Sequence, residues 1–234
     1  MTTLTWPAGI VPQSVAWHLE ANTATFTSPL TGATQTVELP GARWVADFTL
    51  PTLRADQWRA WSAFIARLRG VSGRVYVPPF HAKTGSTVAR SGISSAPTCD
   101  STAETVDSTD WTCDAMAFAS LGTPRVAGGD QSGSVLLTDG WAGAAEVFNA
   151  GDFFHYDTSA GRTLHMVVEA ATASGDGSAA LTVEPPIRTA PPDNALLEID
   201  APSCIMRLAD GNAGALSLQP GIFGSAAVAL REAF

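Results

Sequence analysis

The chain has 234 residues, of which 45% are hydrophobic and only 15% charged, and its formal net charge is −9 at pH 7. Its 13 basic residues form no cluster that would bind phosphates, which argues against direct nucleic-acid binding, and no stretch reaches the roughly 18 apolar residues that a membrane-spanning helix needs. The 21 glycines and 15 prolines favour many short strands joined by tight turns, with helix as a minor component.

The first predicted strand covers residues 15–26, and a Thr-Ser-Pro turn at 27–29 ends it. A second strand is predicted near residue 44, because every second residue from 44 to 50 is apolar and Pro51 then stops the pattern. This period of two places one row of side chains against a core.

A helix is predicted over residues 53–69. Its apolar side chains recur at steps of three and four and form one stripe: Trp58, Trp61, Phe64, Ile65 and Leu68. Gly70 is placed to end the helix as its C′ residue. Two indoles and a phenyl ring on one face predict that the helix lies across a sheet and closes one end of a β core.

A stretch rich in Gly, Ser, Thr and Ala follows at residues 82–105, and it is either an extended arm or a mobile loop. Short strands are predicted at 134–137 and 146–148, with a turn around Trp141. The segments GDFFHYD, TLHMVVEAATA and AALTVEPPI then predict a compact antiparallel unit with a hairpin turn at 174–177. The final stretch is expected to return as a strand to the first region, which makes the residues between them an insertion.

The cysteines and histidines suggest no metal site. Cys99, Cys113 and Cys204 are odd in number and are read as reduced thiols in preference to a Cys99–Cys113 bridge. The histidines at positions 18, 81, 155 and 165 lie on separate segments. His155 and His165 are candidates for neighbours across paired strands, but without a third ligand a role in packing is favoured.

Asp210, Gly211 and Asn212 resemble the start of a calcium loop, yet the next three residues supply no further side-chain oxygens, so a turn is predicted. The sequence has no nucleophile elbow, H-E-x-x-H helix or glycine-rich phosphate loop. We therefore predict that the protein is not an enzyme and has no catalytic, cofactor or metal site. The first 20 residues lack the features of a signal peptide, so the protein is expected to remain where it is made.

One pair of carboxylates keeps a carbohydrate hypothesis open. Glu169 and Glu184 flank the predicted 174–177 hairpin, and glycoside hydrolysis uses two carboxylates. Aromatic platforms for a sugar are available in sequence at Trp141, Phe153, Phe154 and Tyr156. The alternatives are a carbohydrate-binding β-barrel, a small hydrolase, or an aromatic β core that carries two exposed carboxylates.

Several segments resemble the distal tail proteins, also called tail-hub or minor tail proteins, of long-tailed bacteriophages. They are SPLTGATQT, PGARW, the TLP turn, the W-x-x-F-x-x-x-L-R-G helix ending at Gly70, and VYVPPF. A second group, GDFFHY, RTLHMVVEAATASGDGSAALTVEPPIR and PSCIMRLADGN, looks like the β-barrel section that such proteins carry before their closing strand. Residues 83–136 match no part of this pattern.

The resemblance implies a mainly β fold. Residues 1–82 and 201–234 would form a β-sandwich ring domain with one packed helix, and residues 83–200 a β-barrel-like insertion that faces outward. The protein would be a structural virion protein that forms a ring at the distal end of the tail tube and links the tube to the hub and receptor-binding apparatus. A carbohydrate-binding module for host attachment is the alternative.

The resemblance also implies the partners. These are further copies of the chain, in a hexamer first and a trimer second, together with the tail tube, tail hub and tape-measure proteins. Assembly would take place in the host cytoplasm, and the protein would end in the virion at the tail tip. The low charged fraction independently favours self-association. The acidity either lines a conduit that repels DNA or only maintains solubility.

Overall fold

The structure is a computed structural model that describes residues 3–80, 122–142, 146–218 and 224–233. Within these ranges the chain forms sixteen β-strands, one α-helix and one 3-10 turn, and the predicted mainly β class is confirmed. The predicted polar stretch at 82–105 lies outside the described residues, as do His81, Cys99 and Cys113.

Sheet A combines strands from early and late parts of the chain. Its strands, in spatial order, are β1 (Leu4–Thr5), β6 (Val75–Val77), β14 (Cys204–Leu208), β16 (Gly224–Glu232), β5 (Arg43–Thr49) and β2 (Ser14–Glu20), with β15 (Leu216–Leu218) paired to β16. The predicted return of the last strand is confirmed, because β16 pairs antiparallel with β5. We call residues 3–80 and 204–233 the sheet A region.

Helix α1 (Ala55–Leu68) covers the core face of sheet A, and the 3-10 turn Gly70–Ser72 follows it. The predicted range of 53–69 is confirmed to within two residues. The N–H of Arg54 donates to Gln57 Oε1 at 3.1 Å, which caps the first turn. Gly70 follows the helix in the left-handed region with φ 69°, as its predicted C′ position requires.

The predicted stripe of α1 packs into the core of sheet A. Trp61, Phe64 and Leu68 are buried, and Trp58 and Ile65 are half-buried against the same cluster. The indole N–H of Trp61 donates to the carbonyl of Gly214 at 3.0 Å. Gly214 has φ 82°, and a Cβ there would lie 2.6 Å from Ile65 Cδ1, so only glycine lets this turn approach the helix.

Sheet B holds the strands β10 (Phe153–Thr158), β11 (Gly161–Val167), β13 (Ala179–Ile187), β8 (Gly133–Trp141) and β7 (Gly122–Val126), in that order. The short pair β9 (Glu146–Phe148) and β12 (Ala171–Thr172) contributes Val147, Phe148 and Ala171 to the same core. The predicted turn around Trp141 is wrong: β8 continues to this residue, whose buried indole donates to Thr138 Oγ1 at 2.8 Å. We call residues 122–203 the sheet B region.

The strand predicted over 15–26 is wrong in one respect, because it is two strands in different sheets. β2 ends at Glu20 in sheet A, and β3 (Thr23–Thr27) pairs only with β4 (Thr34–Glu38). The break at Asn22 is fixed by hydrogen bonds, since its side chain donates to Pro40 O and its carbonyl accepts from Leu39 N–H. The two-stranded unit at residues 23–38 is called the ribbon below.

The junction between the two regions is closely packed. Phe153 and Leu164 of sheet B belong to the buried core of sheet A, and the ring of Phe153 lies 5.5 Å from that of Trp44. The indole N–H of Trp44 donates to Leu164 O at 2.9 Å. β10 therefore lies between two cores, which explains why Phe153, Phe154, His155 and Tyr156 are all buried. The division of the chain into a core of residues 1–82 and 201–234 and an insertion of residues 83–200 stays a prediction.

Candidate assembly surfaces

His155 and His165 lie on paired strands, as the sequence suggested, but on opposite faces. In the register of β10 and β11, His155 is opposite Leu164 and His165 is opposite Phe154, so the two rings belong to different rows. Within the described part of the chain no group of three His, Cys, Asp or Glu side chains is placed to hold a metal ion. Cys204 is a buried free thiol whose pKa is raised by burial.

His165 is fully buried and forms a hydrogen-bonded chain. Its Nδ1 lies 2.8 Å from the carbonyl of Pro185, which only accepts, so Nδ1 carries the proton. Nε2 then accepts from the Tyr156 hydroxyl at 3.0 Å. Burial lowers the pKa of His165 to about 4. Burial also raises the pKa of Tyr156 well above its ordinary value, although the charge of Arg188 acts in the opposite direction. Both groups are therefore neutral parts of the core.

His155 is held in the other tautomer. Its Nδ1 accepts from the backbone N–H of Ser203 at 3.1 Å, next to the start of β14. Burial, followed by the nearby Arg162, lowers the pKa of His155 to about 4. Each histidine thus serves the fold on its own face of sheet B.

The two carboxylates of the carbohydrate hypothesis occupy different surroundings. Glu169 accepts a hydrogen bond from Thr182 Oγ1 at 3.2 Å. Glu184 lines a groove of about 710 Å³ between sheet B and the base of the ribbon, and its pKa is raised by partial burial and by the charge of Glu38. The proposed aromatic platforms at Trp141, Phe153, Phe154 and Tyr156 are all buried, so their ring faces are closed to a sugar.

A buried ion pair closes the junction between the regions. Arg188 of the sheet B region donates to Glu232 Oε1 at 2.7 Å, and the Glu232 side chain is 3% exposed. Glu232 Oε2 also accepts from the N–H of Trp44 at 3.0 Å, while Arg188 donates to Ala42 O. Burial raises the pKa of Glu232, and Arg188 only partly opposes this. The two regions are therefore tied by charge as well as by aromatic packing.

The ribbon has two chemically different faces. In its register Ala24 pairs with Val37, and Phe26 pairs with Gln35, which places these four side chains on one face. The other face holds Thr23, Thr25, Thr27, Thr34, Thr36 and Glu38. Every residue of both strands is exposed, including Phe26 at 64% and Val37 at 58%. The apolar face is therefore uncovered in the single chain.

Further apolar side chains extend this surface. Leu30, in the turn between the two strands of the ribbon, is 95% exposed, and Leu39, just after β4, is 42% exposed. Four large apolar side chains are thus open to water within residues 26–39. Monomeric proteins tend not to keep such groups together on one element, since contiguous exposed apolar surface favours contact with a partner.

Charge divides sharply between the regions. The sheet A region holds eight arginines and six carboxylates, a formal +2. The sheet B region holds three arginines and eleven carboxylates, a formal −8. Residues 81–121 carry the remaining −3. The net −9 of the chain therefore arises outside the sheet A region. If the protein lines an acidic conduit, the acidic residues must come from residues 81–203.

Two arginines of sheet A face each other on the side away from the core. Arg207 of β14 is directly opposite Arg231 of β16, and both alternate with buried neighbours. In the described ranges neither forms an ion pair, whereas nearby Arg43 binds Glu20 at 2.8 Å. Arg43, Arg74 and Arg207 also line a cavity of about 340 Å³. This end of the outer face is the arginine face.

Sequence reasoning missed both surfaces, although each leaves a signal in the sequence. Thr at positions 23, 25, 27, 34 and 36 marks one face of the ribbon by its period of two. The separation of charge follows from counting by segment, whereas a whole-chain sum conceals it. The cross-strand position of Arg207 and Arg231 requires the strand register, which no local pattern supplies.

No protein-family model matches this sequence, and no curated protein shows significant sequence similarity to it. Among the described residues, the single helix lacks the length and apolar character that a membrane span requires.

Proposed function

We propose that this protein is a structural subunit that associates with copies of itself into a closed ring at the distal end of a phage tail tube. The ring would join the tube to the hub and to the receptor-binding apparatus, and its role would be assembly without catalysis. The observation that carries the self-association is the uncovered apolar face of the ribbon.

The ribbon supports self-association for an energetic reason. A two-stranded unit is at best marginally stable in water when neither face is packed. The ribbon nevertheless arranges threonines on one face and apolar side chains on the other, as an element does when one face is to be covered. A further copy of the same chain is the simplest partner for a surface that this chain leaves open.

The place in a phage tail is supported by the resemblance of the sequence segments to distal tail proteins. The segment SPLTGATQT contains the turn of the ribbon and the start of β4, and PGARW follows the ribbon. The W-x-x-F-x-x-x-L-R-G segment is the second half of helix α1 with its cap. The apolar ribbon and the motifs that suggest a ring subunit are thus parts of one continuous stretch. A hexamer is the first expectation and a trimer the second.

The ribbon offers a direct test. Substituting F26T/V37T removes the apolar face but keeps β-branched residues that suit a strand. We expect sedimentation velocity to show a closed oligomer for the wild-type chain and monomers for F26T/V37T. The circular dichroism spectrum of F26T/V37T should remain that of a folded chain, because both side chains are exposed in the single chain. The matched control T25S/T36S alters the polar face and is expected to leave the oligomer intact.

A wild-type chain that remains monomeric, both alone and when mixed with the tail tube and hub proteins of its neighbouring genes, would contradict the proposal.

A second measurement tests whether the protein is located at the tail tip. Electron microscopy with an antibody against this protein is expected to label the tail tip of virions. Absence of the protein from purified virions would overturn the assignment to the tail even if the purified chain forms rings.

A further inference from the structure

The arginine face carries an unbalanced charge within the fold. Like charges directly opposite each other across two strands destabilise a sheet, and Arg207 and Arg231 hold this position. Glu20 of β2 has its pKa lowered mainly by a hydrogen bond from Arg43 and less by the charge of Arg231. Glu20 is already paired with Arg43, and Glu232, which also lines the cavity beside Arg207, is paired with Arg188. These two carboxylates therefore only partly offset the like charges of Arg207 and Arg231.

The sheet B region has the opposite imbalance. All three of its arginines are used inside the chain: Arg125 donates to Asn194 O, Arg162 binds Asp157, and Arg188 binds Glu232. Its formal −8 is therefore carried by carboxylates that these arginines neutralise only in part. One chain thus carries a basic face on sheet A and an acidic sheet B region, and the charges of the two are only partly paired with each other within that chain.

We infer that the arginine face of one copy docks against the acidic sheet B region of a second copy. This inference rests on the proposed ring, and it specifies how neighbouring copies recognise each other. Because the two surfaces differ, the contact is heterologous, and a heterologous contact that closes on itself generates a ring. Arginine suits this role because its planar guanidinium binds carboxylates through two hydrogen bonds.

Part of the outer face of sheet A already shows a contact of this kind within one chain. Arg162 of the sheet B region lies 4.6 Å from the ring centre of Tyr76 in β6, and Gly161 approaches Ile205 of β14. This intramolecular contact covers Tyr76 and Ile205. Arg207 is two residues further along β14 on the same face, and both Arg207 and Arg231 remain partly exposed, so a second copy would extend an existing contact.

The substitution R207E separates docking from folding. It places a carboxylate opposite Arg231, and a pair of opposite charges across strands favours the sheet. The melting temperature of R207E is therefore expected to equal or exceed that of the wild type. Self-association should weaken by about tenfold or more, measured by sedimentation at low salt. The matched control R67E makes the same charge change on the exposed face of α1 and is expected to associate like the wild type.

Mixing R207E with the wild type tests whether the partner of the arginine face is a second copy of the chain. An R207E copy still offers an intact acidic region to a wild-type neighbour but docks poorly through its own arginine face, so an excess of R207E should cap wild-type assemblies and lower their mass. Rising salt should weaken the wild-type assembly, since exposed charges are screened within about 3 Å at 1 M.

The outcomes are distinguishable. A wild-type chain that never associates overturns the proposed ring itself. A wild-type ring that R207E neither weakens nor caps leaves the ring standing and overturns this inference. Weakened self-association of R207E without capping of the wild type would show that the substitution also disables the surface that R207E offers to a wild-type neighbour. The arginine face would then not dock against an intact sheet B region, which also overturns this inference.

Discussion

The two regions of the chain stabilise themselves by different chemistry. The core of sheet A is a cluster of aromatic rings in which Trp6 contacts Phe48, Trp61 and Phe64 at centroid distances of 5.5–6.0 Å. The core of sheet B includes hydrogen-bonded polar groups, among them His165 and Thr138. The aromatic rings of the sheet A cluster carry no group that takes up a proton in mild acid, whereas a buried imidazole does. The difference predicts that mild acid acts first on the sheet B region.

The largest expected effect comes from separating the regions. Replacing residues 83–200 by a short Gly/Ser linker is predicted to leave sheet A folded, but the deletion removes Arg188 from buried Glu232. Breaking a buried ion pair from one side costs about 3–5 kcal/mol. The same deletion with Glu232→Gln should therefore be more stable in urea than the deletion alone. In the intact chain Glu232→Gln should instead be destabilising, because Arg188 loses its partner.

If both deletion variants are insoluble or unfolded by circular dichroism, the sheet B region is an essential part of the sheet A core. Phe153 and Leu164, which the deletion removes from that core, would then be the first contacts to restore.

Elemental analysis of the intact chain tests the prediction that the protein has no metal site. One equivalent of bound metal per chain would contradict the prediction that no metal site exists.

Within sheet A, the substitution Trp61→Ala is expected to lower the free energy of unfolding by about 3–5 kcal/mol. The ring is fully buried, and its loss also leaves the Gly214 carbonyl without its donor. Urea denaturation at neutral pH measures the change. Trp58→Ala is the matched control, since Trp58 is only half-buried on the same helix and should cost less. A loss below about 1 kcal/mol for Trp61→Ala would contradict its role in the core.

Within sheet B, acid is expected to act through the two buried histidines. Burial holds the folded-state pKa values of both histidines at about 4, below the ordinary 6.5. Between pH 6.5 and pH 4 the unfolded chain therefore binds protons at these histidines that the folded chain does not bind. Their contribution to stability is complete above pH 6.5 and is lost as the pH falls toward 4. Between pH 7.5 and pH 5 the loss is about 2 kcal/mol for each histidine.

Urea denaturation at pH 7.5 and pH 5 tests this expectation, and His165→Gln should remove about half of the difference between the two curves. Between pH 7.5 and pH 5, the hydrogen-exchange protection factors, which are corrected for the intrinsic exchange rate at each pH, should fall more in β10, β11 and β13 than in β5 and β16. An equal fall of protection in both sheets would show that the two regions unfold as one unit, and the contrast between their cores would then have no thermodynamic consequence.

Features that depend on neighbouring residues, such as the helix, were predictable from the sequence, whereas the pairing of strands was not. The stripe from Trp58 to Leu68 and the cap at Gly70 depend on neighbours three or four residues away, and both predictions are confirmed. The break at Asn22 was missed because β-type residues continue through it, and only hydrogen bonds to distant residues 39 and 40 divide the strand. Local periodicity has no access to such partners.

The candidate site residues show the same limit. That His155 and His165 lie on paired strands was predictable from two adjacent segments, but the register decided that they occupy opposite faces. The aromatic residues at 153, 154 and 156 were predicted either as platforms for a sugar or as part of an aromatic β core. They are buried on both faces of β10, because sheet A covers one side of this strand and the core of sheet B covers the other.

The position of β16 in the middle of sheet A has a consequence for synthesis. This strand, Gly224–Glu232, lies between β14 and β5 in the sheet and is synthesised after both of them. Until β16 has emerged, no strand pairs β5 and β2 with β14 and β6, so the aromatic core cannot close before that point of synthesis. A ribosome that stalls before residue 224 would release a chain with an open, apolar half-sheet, which is a natural substrate for chaperones and proteases.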